Sequence, residues 1–95
     1  MFEPKVISDS TVGELRVLSV ETCPEVCSVR IDIAVKGDTV HRVQYYRGCE
    51  GNTSGVAALI AGMKVSDAIS RLEGIDCHGR GTSCPDQLAR ALKLL

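Results

Sequence analysis

The strongest constraint in the chain is a pair of alternating segments separated by a turn. In CSVRIDIAV (27–35) the odd positions are Cys27, Val29, Ile31, Ile33 and Val35, and the even positions are Ser28, Arg30, Asp32 and Ala34. A period of two is the signature of a half-buried strand. In VHRVQYYRGC (40–49) the odd positions include Val43, Tyr45 and Cys49, and the even positions include Arg42, Gln44 and Tyr46. Lys36-Gly37-Asp38 between them is a turn signal, so the two segments form a β-hairpin. Register follows from matching apolar faces. A two-residue loop at Gly37 and Asp38 sets Ile31 opposite Gln44, which mixes faces. One more loop residue sets Ile33 opposite Val43 and Ile31 opposite Tyr45, and it places Cys27 opposite Cys49 on the buried face at the open end of the hairpin. A bulge would shift that apposition by one residue.

The flanks are simpler. GELRVLSV (13–20) reads as a third strand, and ETCPEVC (21–27) as a loop leading into the hairpin. Residues 1–10 carry no strong signal. After Cys49 the period becomes helical. Val56, Leu59, Ile60 and Met63 fall on one face, with Asn52 or Thr53 as the cap and Gly62 at the end. A second helix has Ser66 as its cap, Val65, Ile69 and Leu72 on one face, and Gly74 as its stop. The last helix starts near Cys84, with Leu88, Ala91, Leu92 and Leu95 in one stripe and Cys84 on the same face. Strands followed by helices predict an α+β domain: a small antiparallel sheet of about three strands with three helices packed on one face.

Ninety-five residues make a single domain with one modest core. Three aromatic residues, Phe2, Tyr45 and Tyr46, leave that core to aliphatic side chains. A metal or an oligomer would then be a natural additional source of stability. Mixed charges summing to −1, with few rings for base stacking, argue against nucleic acid as a partner. The apolar run from Val56 to Met63 is too short to cross a bilayer, and the start MFEPKVISDS has no signal-peptide core. The expectation is a cytosolic protein. In that compartment the five cysteines, Cys23, Cys27, Cys49, Cys77 and Cys84, point to metal or redox chemistry in preference to a disulfide framework. Any one of them alone would read as a small buried hydrophobe.

Four of the five converge on this reading. Cys27 and Cys49 face the helices from the sheet, Cys84 faces the core from the last helix, and Cys77 lies in the loop just before it. Four thiolates in a tetrahedron suit zinc or an iron–sulfur cluster. The spacing is not that of a ribbon or finger, since there is no CxxC pair. Ser83 and Asp86 stand at capping-box spacing, and Pro85 is tolerated in a first turn. A helix N-terminus favours thiolate over thiol. Arg30, Arg47, His78 and Arg80 adjoin the cysteines and could offset their negative charge, although most read as solvated surface groups. His78 reads as a loop residue before a ligand, and His41 lies at the wrong end of the sheet. No nucleophile elbow or phosphate loop is present; the glycines of GCEGN (48–52) fit a sharp exit from strand to helix.

Three elements occur in order: GC-x-GN at 48–52, GM-x5-I-x-x-L-x-GI-x-C at 62–77, and TSCPDQLA-x-AL at 82–92. With CSVRIDIAV they resemble the TSCPD-domain family, named for the motif found here at Thr82, Ser83, Cys84, Pro85 and Asp86. The resemblance runs from Cys27 to Leu95. It implies a family-matching core at 27–95 and a variable extension at 1–26, with the recurring cysteines at Cys27, Cys49, Cys77 and Cys84 and Cys23 outside the site. Related domains close some ribonucleotide reductases, especially cobalamin-dependent ones. A chain this short cannot hold a reductase barrel, so a reductase label would be inherited from the family and the chain itself shows no active site. A more distant resemblance is to U-type iron–sulfur scaffold proteins, with Cys27, Cys49 and Cys84 in matching order and Cys77 without a counterpart.

These observations give three expectations. The first is a small metal-binding domain, zinc or iron–sulfur, acting as an accessory or interaction module with a protein partner. The second is a dithiol serving a reductase, which binds no metal and cycles between thiol and disulfide. The third is a scaffold that passes a cluster to an acceptor. Self-association into a homodimer is compatible with all three.

Overall fold

The computed structural model describes residues 2–24, 26, 28–47, 50–76, 79 and 81–95, with residues 50–52 described by backbone alone. Among these, four strands are followed by three helices: β1 (Lys5–Val12), β2 (Leu15–Glu21), β3 (Ser28–Lys36), β4 (Thr39–Arg47), α1 (Glu50–Ile60), α2 (Val65–Leu72) and α3 (Cys84–Leu92). The sheet is antiparallel throughout and open, in the order β1-β2-β3-β4. The α+β expectation holds, with one strand more than the sequence suggests. That strand is β1, and all eight of its residues are exposed. With neither face buried it has no reason to alternate apolar and polar side chains.

The central pairings fall as apolar matching requires: Ile33 opposite Val43 and Ile31 opposite Tyr45. They are reached by a different route. The turn is a two-residue one, Lys36 pairing with Thr39, and Gly37 takes the positive φ of 61° that a Gly-first hairpin turn demands. The register then shifts between Ala34↔Arg42 and Val35↔Val40, so a bulge at His41 supplies the extra residue assigned to the loop. A second shift, at Val29, changes the open end of the hairpin. Val29 is 49% exposed and Ser28 is buried, so the buried parity of β3 switches there. Ser28 pairs with Arg47, one residue away from the register that sets position 27 opposite 49. The predicted apposition of Cys27 and Cys49 itself lies outside the described residues.

One face of the sheet carries the core. Leu18, Val20, Ile31, Ile33, Val40 and Val43 pack in one cluster with Ile60 of α1, Ala68 and Leu72 of α2, and Leu88, Ala91 and Leu92 of α3. Each fully buried aliphatic side chain here contributes about 1.5–3 kcal/mol. The opposite face is open and holds a polar row across three strands, reaching Ser19 of β2 through Arg30 Nη2 at 3.4 Å. Arg30 Nε donates to Asp32 at 2.8 Å, Tyr46 Oη donates to the same carboxylate at 2.8 Å, and the Arg30 guanidinium lies 5.2 Å from the Tyr46 ring centre. The link between α1 and α2 docks on the outer edge of β4. Gly62 and Met63 bond to Val40, and Val65 N donates to the Asp38 carbonyl.

The helix starts differ from expectation. α1 begins at Glu50, so Asn52 and Thr53 lie inside it rather than capping it. Ser66 is inside α2, whose cap position is Lys64 with no side-chain cap bond. Leu59, expected on the core face of α1, is 77% exposed. α3 is more than a one-sided stripe, because every residue from Thr82 to Ala89 is buried.

Candidate functional site

The first turn of α3 is fixed by polar side chains that bond in two directions at once. Ser83 is the N-cap. Its Oγ accepts from Asp86 N at 3.1 Å, as the S-x-x-D spacing requires, and donates to the Ile75 carbonyl at 2.6 Å. Asp86 does not complete a reciprocal box, because its carboxylate is committed elsewhere. One oxygen accepts from Gly74 N at 2.8 Å. The other accepts from Thr82 Oγ1 at 2.6 Å and from Arg90 Nε at 2.8 Å. Burial alone would raise the pKa of this carboxyl. Donation from Thr82, Gly74 N and Arg90 outweighs burial and holds it below the usual aspartate range.

Gln87 extends the network. Its side chain is fully buried. Oε1 accepts from Cys23 N at 3.1 Å, and Nε2 donates to the Phe2 carbonyl at 2.6 Å and to Thr82 Oγ1 at 3.1 Å. One amide thus holds the N-terminal segment, the loop after β2 and the first turn of α3 together. Among the described residues no buried side-chain nitrogen or oxygen lacks a partner. Sequence reasoning assigned no role to Thr82 or Gln87.

Cys84 sits inside this frame. It is buried, and its Sγ lies 3.2 Å from Ser28 Oγ at the start of β3. Its carbonyl accepts from Tyr45 Oη of β4 at 3.0 Å. Burial pushes the Tyr45 phenol far above the usual tyrosine range, and negative charge at Cys84 adds to the shift, so Tyr45 stays a neutral donor. The helix start is therefore pinned to β3 and β4 at the end of the sheet farthest from the Gly37 turn. Ser28 faces inward only because of the bulge at Val29, which no local sequence signal announces.

Of the four predicted ligands, Cys84 alone is among the described residues, buried at the first turn of α3. Cys27, Cys49 and Cys77 lie outside the described residues, as do His78 and Arg80. Their described neighbours are Ser28, which touches Cys84; Arg47, its ladder partner; and Asp76, whose carboxylate accepts from Gly79 N at 2.9 Å and Gly81 N at 2.5 Å. Among the described residues no group of three or more His, Cys, Asp or Glu side chains is disposed to hold a metal ion. Arg30 does not offset charge at this site, because it is paired with Asp32 on the open face.

The turn that organises all of this is Thr82-Ser83-Cys84-Pro85-Asp86, and a family model described as TSCPD domain matches residues 8–95, nearly the whole chain. The chain belongs to the TSCPD domain family. The match begins in β1, well before the Cys27 start suggested by the sequence resemblance, so the TSCPD domain here takes in β2 and Cys23. No curated protein and no solved structure matches the chain. No helix is long and apolar enough to cross a membrane. Within the TSCPD domain the motif divides by role. Thr82, Ser83 and Asp86 build the turn, Pro85 occupies a first-turn position where its missing N–H costs nothing, and Cys84 alone presents a reactive atom.

Proposed function

We propose that this TSCPD domain is a small metal-binding module, holding zinc or an iron–sulfur cluster through Cys27, Cys49, Cys77 and Cys84, and that it serves a protein partner as an accessory or interaction domain. The observation that carries this reading is the contact of Cys84 Sγ with Ser28 Oγ at 3.2 Å. It joins the first turn of α3 to the residue next to Cys27, whose ladder partner Arg47 is two residues before Cys49. The third junction, which contains Cys77, is tied to the same turn by Ser83 and Asp86.

The donor set suits the proposed group. Four thiolates are the ligands that zinc and iron–sulfur clusters prefer. Ser28 offers a hydroxyl that can donate to a bound thiolate, the usual supporting contact around such sites. The hydrogen bonds of Ser83, Asp86 and Gln87 make no use of the Cys84 sulfur, whose partner is the Ser28 hydroxyl. When bound, the metal would cross-link three chain junctions and add folding stability.

The test is elemental analysis with an absorption spectrum on anaerobically purified protein, alongside Cys84→Ser. The expected result is stoichiometric zinc or iron in the wild type and loss of most of it in the variant. Protein without metal, with all five thiols freely titratable, would overturn the reading. A cysteine pair cycling between thiol and disulfide would point to reductase service instead. A coloured cluster released to an acceptor would point to a scaffold.

A further inference from the structure

Helix α1 carries a feature that nothing among the described residues explains. From Gly51 to Met63 there is no charged residue, although Ser54, Gly55, Ala58, Leu59, Ala61 and Gly62 are exposed. Leu59 is the most exposed large apolar side chain among the described residues, at 77%. Four residues earlier, and so on the same helix face one turn away, stands Gly55. A glycine inside a helix is less favourable than alanine by about 0.5–1 kcal/mol. Here the usual reasons for accepting that cost are missing. Its φ is not positive, and among the described residues a Cβ added to it would meet nothing within 4 Å. The monomer has an unexplained notch beside an unexplained knob.

We infer that the outer face of α1 is an interface with a second copy of this chain, formed by antiparallel packing of α1 against its equivalent across a two-fold axis. In that arrangement Leu59 of each copy seats on Gly55 of the other, since an isologous contact pairs residue i with j and j with i. The missing Cβ lets the two helix backbones approach closely around each leucine. With no charged residue from Gly51 to Met63, the close approach of the two helices leaves no charge of this run to be desolvated at its centre. Two helices of three turns form a small interface, so association is concentration-dependent. The inference does not rest on the thiolate site, and its test reads no metal.

Sedimentation equilibrium over a concentration series, on the full chain and two variants, decides it. The wild type is expected to show a monomer–dimer equilibrium. Leu59→Lys puts an ammonium where the leucine seats on the partner's glycine, at the cost of its hydration, and Gly55→Leu fills the notch; each is expected to weaken dimerisation by at least roughly tenfold. Both positions are open to solvent in the monomer, so both variants are expected to keep the wild-type far-UV circular dichroism. Gly55→Leu is expected to melt no lower than the wild type at concentrations where both are monomeric. A wild type that remains monomeric throughout would overturn the inference and assign this face to another partner, or to none. Persistence of the dimer in either variant would also overturn it.

Discussion

At the residue scale, the TSCPD motif is a set of hydrogen-bonding groups chosen so that each satisfies two partners, and Asp86 is its centre of charge. Its carboxylate is almost fully buried and receives Gly74 N, Thr82 Oγ1 and Arg90 Nε. Asp86→Asn replaces an acceptor-only group with one that presents hydrogens toward some of those donors. The expected cost is about 2–3 kcal/mol, read as a lower urea midpoint, and moderated because Arg90 keeps 26% of its side chain exposed. The pH dependence has a definite sign. A carboxyl held below its ordinary value in the folded chain releases its proton more readily there than in the unfolded chain. Its contribution is complete above the unfolded pKa of about 3.9 and is lost as pH falls through the depressed folded value. Asp32, also held low among Ser19, Arg30 and Tyr46 against the effect of its burial, adds loss in the same direction. The difference between wild type and Asp86→Asn is therefore expected to shrink below about pH 4. A difference that stayed constant from neutral pH down to pH 2 would show that the Asp86 charge contributes nothing.

At the scale of elements, the N-terminal residues behave as a strap over the loop before α3. Phe2 presents its carbonyl to Gln87, and its ring lies 5.9 Å from the Arg90 guanidinium, while Glu3 pairs with Arg90 at 2.6 Å. The ring also rests on Gly81, where an added Cβ would lie 2.7 Å from Phe2 Cε2, on a backbone with φ of 90°. Gly81→Ala is expected to cost about 1–3 kcal/mol, partly from the left-handed backbone and partly from the displaced ring. In a Phe2→Ala background the second part disappears, so the cycle should show a coupling of about 0.5 kcal/mol or more in urea melts. Equal penalties in both backgrounds would mean that the strap does not rest there. None of this is legible in MFEPKVISDS, because a strap held by one carbonyl and one ring leaves no periodic pattern. β1 escaped for the same reason, having no buried face to impose one. The hairpin was legible where both faces differ, at Ile31, Ile33 and Val43, and became illegible where bulges at His41 and Val29 change parity without a sequence mark. Cys84 was legible through its S-x-x-D frame. Ser28 and Gln87 were not, since their partners lie 56 and 85 residues away and only the folded chain brings such groups together; Thr82 bonds only four residues on, to Asp86, and its local spacing was overlooked.

At the scale of the whole molecule, two systems hold the chain together, and they occupy different places. The aliphatic cluster joins β2, β3 and β4 to all three helices. The polar frame joins the connections: the N-terminal segment, the loop after β2 and the loop before α3, all tied to the first turn of α3. By their place in the sequence four of the five cysteines lie in those connections or next to a strand end, and the fifth is Cys84 in the turn that ties them. On the metal-binding reading, the metal therefore strengthens the second system and leaves the first intact. Chelation is expected to lower the melting temperature without abolishing the fold. Hydrogen exchange should quicken first in residues 22–28 and 74–83, while the amides of Leu18, Val20, Ile31 and Ile33 stay the slowest. β1, with every residue exposed, should exchange faster than β2 and β3 with or without metal, because its opening uncovers no core. If chelation instead releases all segments together, the aliphatic cluster is too small to stand alone. The metal would then be the nucleus of the fold, and the division of labour drawn here would be wrong.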